Sequence, residues 1–143
     1  MLRYEYRDTD GTGELGAEVR FGGFAGASSA WFSDEDLMSF ADRLTTYPLG
    51  DSEFSVSGGY GHDEAFEERV GLTARAVGGR GQVGVVVHLA SPTEHPTYPG
   101  SSLREVRVEV LTSYEALGQF SAELRRLVAG TADEAQLDAQ VLG

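Results

Sequence analysis

The side chains best equipped for chemistry in this sequence are the imidazole and carboxylates of His62-Asp63-Glu64, which stand together in a glycine-rich stretch beginning at Gly58. An imidazole beside carboxylates can ligate a metal ion or relay a proton. Neighbours in sequence seldom aim at one ion, however, and neither HxxxH nor HExxH spacing is present. Residues 58–64 therefore read as a long polar loop, and no metal or cofactor is expected. His88 falls in an alternating strand-like run and reads as a half-buried structural histidine, while His95 stands apart in a proline-rich stretch. With neither Cys nor Lys in the chain, thiolate and Schiff-base chemistry are absent. Ser28 and Ser29 lie in an apolar run without a GxSxG elbow, so no catalytic residue is assigned.

Two glycine motifs fail their context tests. Gly79-Arg-Gly-Gln-Val-Gly84 matches GxGxxG, but dinucleotide binding requires a helix after the motif, and here it joins two strand-like runs. It reads as a hairpin turn. Asp8-Thr-Asp-Gly-Thr-Gly-Glu14 has the acids of a calcium loop without the spacing to a bidentate Glu, and also reads as a turn. The aromatics Phe24, Trp31, Phe32, Tyr60, Phe66 and Tyr98 can line a pocket, although aromatics at strand spacing are expected in the core.

The elements that must position these residues are well marked. Leu2 to Arg7 alternates, a turn follows, and Leu15, Ala17, Val19 and Phe21 share one side of a second strand. Gly22-Gly23 then marks a bulge or tight turn before a third strand, Phe24 to Phe32. Ser33 and Asp36 have capping-box spacing and open a helix carrying Leu37, Phe40, Ala41 and Leu44, which Pro48 stops near Thr45 or Thr46. Strands are predicted over 53–57, 70–76, 83–89 and 106–110, with Val85-Val86-Val87 in a central position. Thr112 and Glu115 predict a second helix bearing Leu117, Phe120, Leu124 and Leu127 and ending at Gly130. Gly118 within it suggests close packing on the sheet. Thr131 and Glu134 predict a short terminal helix prone to fraying over 131–143.

Strands joined by short turns, followed by helices, give an α+β protein. The expectation is one domain over residues 1–143, a mostly antiparallel sheet of six to seven strands with two main helices on one face and the short C-terminal helix.

Charge narrows the function classes. Of 143 residues, 23 are Asp or Glu and 11 are basic, all of them Arg, for a net charge of -12. The arginine bias, with no Ile or Asn either, fits GC-rich coding. Such an excess of acid repels phosphate, so neither nucleic acid nor an anionic membrane is an expected partner. The charged start of the chain lacks the apolar run of a signal peptide, and no uncharged stretch approaches the roughly 20 residues of a membrane helix. A cytoplasmic location is expected. The acid is concentrated in residues 51–69, where six carboxylates face one arginine. Asp51, Glu53, Asp63, Glu64, Glu67 and Glu68 form the candidate partner-binding patch, set against the simpler reading of a solubilising surface.

Gly23-Phe-Ala-Gly26, Trp31 to Leu37, Phe40 to Leu44, Arg80 to Val87, and Tyr114 to Leu117 with Phe120 and Leu124 carry a resemblance. Over most of its length the chain resembles a loose group of small, mostly uncharacterised bacterial proteins, some of them similar to immunity proteins that neutralise wall-associated toxins. The resemblance rests on core and capping positions and implies no catalytic or ligand residue. It points to a non-catalytic binding domain of immunity type, and the acid concentrated in residues 51–69 makes a basic protein the expected partner. The alternative is a small-molecule binder or enzyme with a pocket between sheet and helices. Self-association through a strand edge or the final helix is a third reading, which the residue types leave open.

Overall fold

The computed structural model describes residues 1–61, 66–93 and 102–140. Its elements are β1 (Leu2–Arg7), β2 (Thr12–Phe21), β3 (Phe24–Ser33), α1 (Asp34–Arg43), β4 (Glu53–Tyr60), β5 (Glu67–Val77), β6 (Gln82–Thr93), β7 (Ser102–Ser113) and α2 (Tyr114–Ala129). All seven strands lie in one antiparallel sheet in chain order. The protein is therefore α+β. Alternating residues of the strands, among them Leu15, Ala30, Val56, Leu72, Val85 and Val110, share one buried cluster with Leu37 and Phe40 of α1 and Leu117, Phe120 and Leu124 of α2. The helices are tied together inside it, where Ser121 Oγ donates to the Ala41 carbonyl over 2.7 Å.

Glycine sets the turns. Phe21 pairs with Phe24 across Gly22 and Gly23, whose φ of 59° and 87° make the two-residue hairpin that an L side chain would strain. The glycine motif at residues 79–84 spans the β5–β6 connection, as its context required.

The sheet does not stay flat. β3 pairs with β4 only at Trp31 and Gly59. From there its first half swings over β6 and β7: Ser28 Oγ donates to the Ala90 carbonyl over 2.7 Å, and a Cβ on Gly26 would stand 2.5 Å from Val106. The bend needs Gly58, where the Phe32 ring fills the space that a side chain would take. Residues 58–60, expected as part of a loop, are thus the end of β4.

Ser33 caps α1 as predicted, accepting from the Asp36 N–H over 3.1 Å. The cap of α2 is Ser113, which accepts from the Ala116 N–H, and not Thr112. β7 runs three residues further than its valine pattern, so Thr112 points into the core at 1% exposure. Gly130 is left-handed, and with Thr131 it returns two N–H groups to the Leu127 and Arg126 carbonyls, closing α2 by a Schellman motif. Arg7 donates to the Leu127 and Val128 carbonyls at the same helix end.

The expected terminal helix is absent from residues 131–140. They run extended and hydrogen-bond both edges of the sheet: Ala135 exchanges two backbone bonds of 2.9 Å with Leu2, Gln140 N–H donates to the Leu111 carbonyl over 2.7 Å, and Thr112 Oγ1 donates to the Asp138 carbonyl. A short isolated helix is marginal in water, whereas free strand edges offer ready partners. No helix among the described residues is long and apolar enough to cross a membrane.

Gly118 was expected against the sheet, yet a Cβ there meets nothing within 4 Å. Gly118→Ala should therefore stabilise the protein by about 1 kcal/mol through helix propensity alone, read as a higher urea midpoint with unchanged m-value.

Candidate functional site

The face of the sheet turned away from the core carries two adjoining rows of side chains. The first crosses five strands in register: Tyr6 pairs with Glu14, Glu14 with Trp31, Trp31 with Gly59, and Gly59 with Glu68. The register shift in β1 between Tyr4 and Tyr6 helps to place Tyr6 in this row, while Tyr4 packs against the core. Tyr6 and Trp31 lean together across β2, with ring centroids 5.9 Å apart at 70°. Tyr6 is 56% exposed, and Phe66, 43% exposed, brings its ring to within 3.0 Å of where a Gly59 Cβ would be. The two rings meet edge to face across the strand that carries Glu14, and the exposed Tyr6 ring with a carboxylate on the neighbouring strand suits a cation.

The second row aligns Ser57, Gly71, His88 and Arg107 across β4 to β7. Gly71 has no side chain, and the Glu68 carboxylate lies in the vacant space, 2.5 Å from where a Cβ would stand. There Glu68 accepts from Ser57 Oγ at 2.5 Å and faces His88 Nδ1 at 2.6 Å, while His88 Nε2 faces Glu105 at 2.9 Å. A ring with a carboxylate at each nitrogen satisfies both only as the doubly protonated imidazolium. Burial of the ring pulls His88 below its ordinary 6.5, but the bonds to Glu105 and Glu68 outweigh that and the net displacement is upward. Glu68 is displaced downward from 4.5: burial raises it, and the bonds from Ser57 and His88 lower it by more. Arg107 opposes the first shift and assists the second.

This chain of hydrogen bonds runs from serine to carboxylate to histidine to carboxylate. Ser57 is not in contact with the imidazole, so the order is not that of a nucleophile activated by a histidine base. His88 is 12% exposed and fully partnered, which is the structural histidine the sequence implies.

The expected acidic patch is divided. Asp51 lies in the exposed turn before β4, and Glu53 opens that strand 4.0 Å from Arg75, which also bonds Glu109. Glu67 pairs with Tyr60 at the other end of β4, seven residues on, or roughly 23 Å at strand spacing. It is 3.0 Å from Arg69, and Glu68 is committed to His88. Asp63 and Glu64, with His62, His95 and Tyr98, lie outside the described residues. Of the aromatics expected in the core, Phe32 is there at 3% exposure, whereas Phe24, Tyr60 and Phe66 are exposed and Trp31 is half-buried on the outer face. Tyr6, Glu14 and Glu105 were not singled out from the sequence. Their only signal was alternation, which tells a face but not which strand lies beside it.

Comparison with family models, with curated proteins and with solved structures gives no match for this chain.

The relay has a pH signature. His88 holds its proton more tightly folded than unfolded, so its contribution is complete below about pH 6.5 and lost as pH rises through its higher folded value. The Glu68 contribution is complete above about pH 4.5 and lost as pH falls through its lower folded value. Both operate between those limits, so unfolding free energy should decline above pH 6.5, and His88→Gln should flatten the decline. Gly71→Ala, which displaces only the flexible end of Glu68, should lower the His88 titration midpoint measured by proton NMR. An unchanged midpoint would contradict the arrangement.

Proposed function

We propose that this chain is a non-catalytic protein-binding domain, of the immunity type that the sequence resemblance suggests, whose outer sheet face receives a basic partner. The observation that carries this reading is the row Tyr6–Glu14–Trp31, which puts an edge-to-face aromatic pair in register with a carboxylate on an acidic protein. Exposed Phe66 borders it at Gly59. Aromatic side chains contribute most of the affinity at protein interfaces, and complementary charge adds encounter rate and selectivity. A guanidinium or ammonium group from the partner would lie on a ring face with Glu14 below it. The outer face takes the place of the sequence-local acidic patch as the primary contact, and Asp51 and Glu53 contribute long-range attraction from the far end of β4. On this reading the protein works in the cytoplasm, beside the partner it neutralises.

Trp31 is the only tryptophan, so its emission reports on this face alone. Titration with a nine-residue arginine peptide should shift that emission saturably at low salt, and the effect should fade as salt screens the charges. Tyr6→Ala and Glu14→Gln should each weaken binding by about 2- to 30-fold, the range of a cation on an aromatic face. Binding that leaves Trp31 emission unchanged, or that ignores both substitutions, would overturn the assignment of the face.

A further inference from the structure

Beneath the sheet, on its core side, Leu72, Val85, Val87, Val110, Phe120 and Leu137 line a cavity of about 100 Å³ that opens to solvent. Its cause is visible in the residue types: three short valines on β6 and β7 and Ala17 on β2 leave room that the swung hairpin and α2 do not fill. The extended tail forms one wall through Leu137 and Ala139. Met1, Glu18 and Arg20 also line it, and the Met1 amino group donates to the Glu18 carbonyl over 3.0 Å.

We infer that this cavity is a binding site for a small uncharged apolar molecule, of the size of a benzene ring or a short branched alkane. Three properties fit that class. Ten of its thirteen lining residues are apolar side chains away from Met1, Glu18 and Arg20, so a charged or strongly polar occupant lying against them would lose hydration without replacement. Among the described residues no buried side-chain nitrogen or oxygen lacks a partner, so nothing in the walls calls for water. A sealed apolar void of about 150 Å³ stays dry and accepts benzene or xenon, which sets the size class for this somewhat smaller space. The tail is the wall best able to move, since it is neither helix nor strand and is held by a few hydrogen bonds to Leu2, Leu111 and Thr112. This site lies on the opposite side of the sheet from the proposed partner face and does not depend on it.

Benzene is the probe. At about ten times its dissociation constant it should raise Tm by about 5 °C, with ring-current shifts in the methyl resonances of Val85, Val87 and Leu137. Ala17→Leu projects a larger side chain into the cavity and should abolish both effects. Leu137→Ala enlarges the space from the tail side and should extend binding to para-xylene, which keeps the test open if the first variant folds poorly. No rise in Tm and no methyl shifts with benzene would overturn the inference. So would an equal response in Ala17→Leu, or methyl shifts confined to other parts of the protein.

Discussion

The Phe32 ring occupies the space beside Gly58 where a Cβ would otherwise stand, and the architecture depends on that contact. With it, β3 touches β4 at one residue pair and then crosses over β6 and β7. The bend also decides the outer face. Because Trp31 meets Gly59 at the pivot, Tyr6, Glu14 and Trp31 fall in line with Glu68, and the aromatic row adjoins the His88 relay.

A sheet bent in this way still has two edges, β1 and β7. The tail answers both with one segment, pairing Ala135 with Leu2 and Gln140 with Leu111. Edge strands left bare invite pairing with other chains, so this closure bears on solubility as well as on stability. The same segment completes the cavity wall. The outer face and the inner cavity are thus two products of one folding of the sheet: bending aligns side chains on one side and leaves unfilled space on the other.

What was legible in the sequence was local. Hairpins at Gly22-Gly23 and at residues 78–81, the Ser33 cap and the stripes of both helices follow from turn chemistry and periodicity, and each appears where expected. What escaped was non-local. Thr131 and Glu134 have capping-box spacing, but that segment hydrogen-bonds the sheet edges at Leu2 and Leu111 instead of forming a helix. Thr112 has the same spacing, yet its inward place in β7 gives the cap to Ser113. The carboxylates at 51–53 and 67–68 are near in sequence and far apart on the strand, while Glu68 and Glu105 are far apart in sequence and meet at one imidazole. Alternation identifies the face a residue occupies; only pairing identifies its neighbour.

The bend at Gly58 both closes the core and builds the outer row. The most direct measurement is the stability of Gly58→Ala together with its Trp31 emission spectrum. The Cβ would press on a ring that is 3% exposed and cannot move aside. The account predicts a loss of about 1–3 kcal/mol, typical of overpacking, and a red shift of Trp31 as the row opens to water. A variant as stable as the parent, with the parent spectrum, would contradict it.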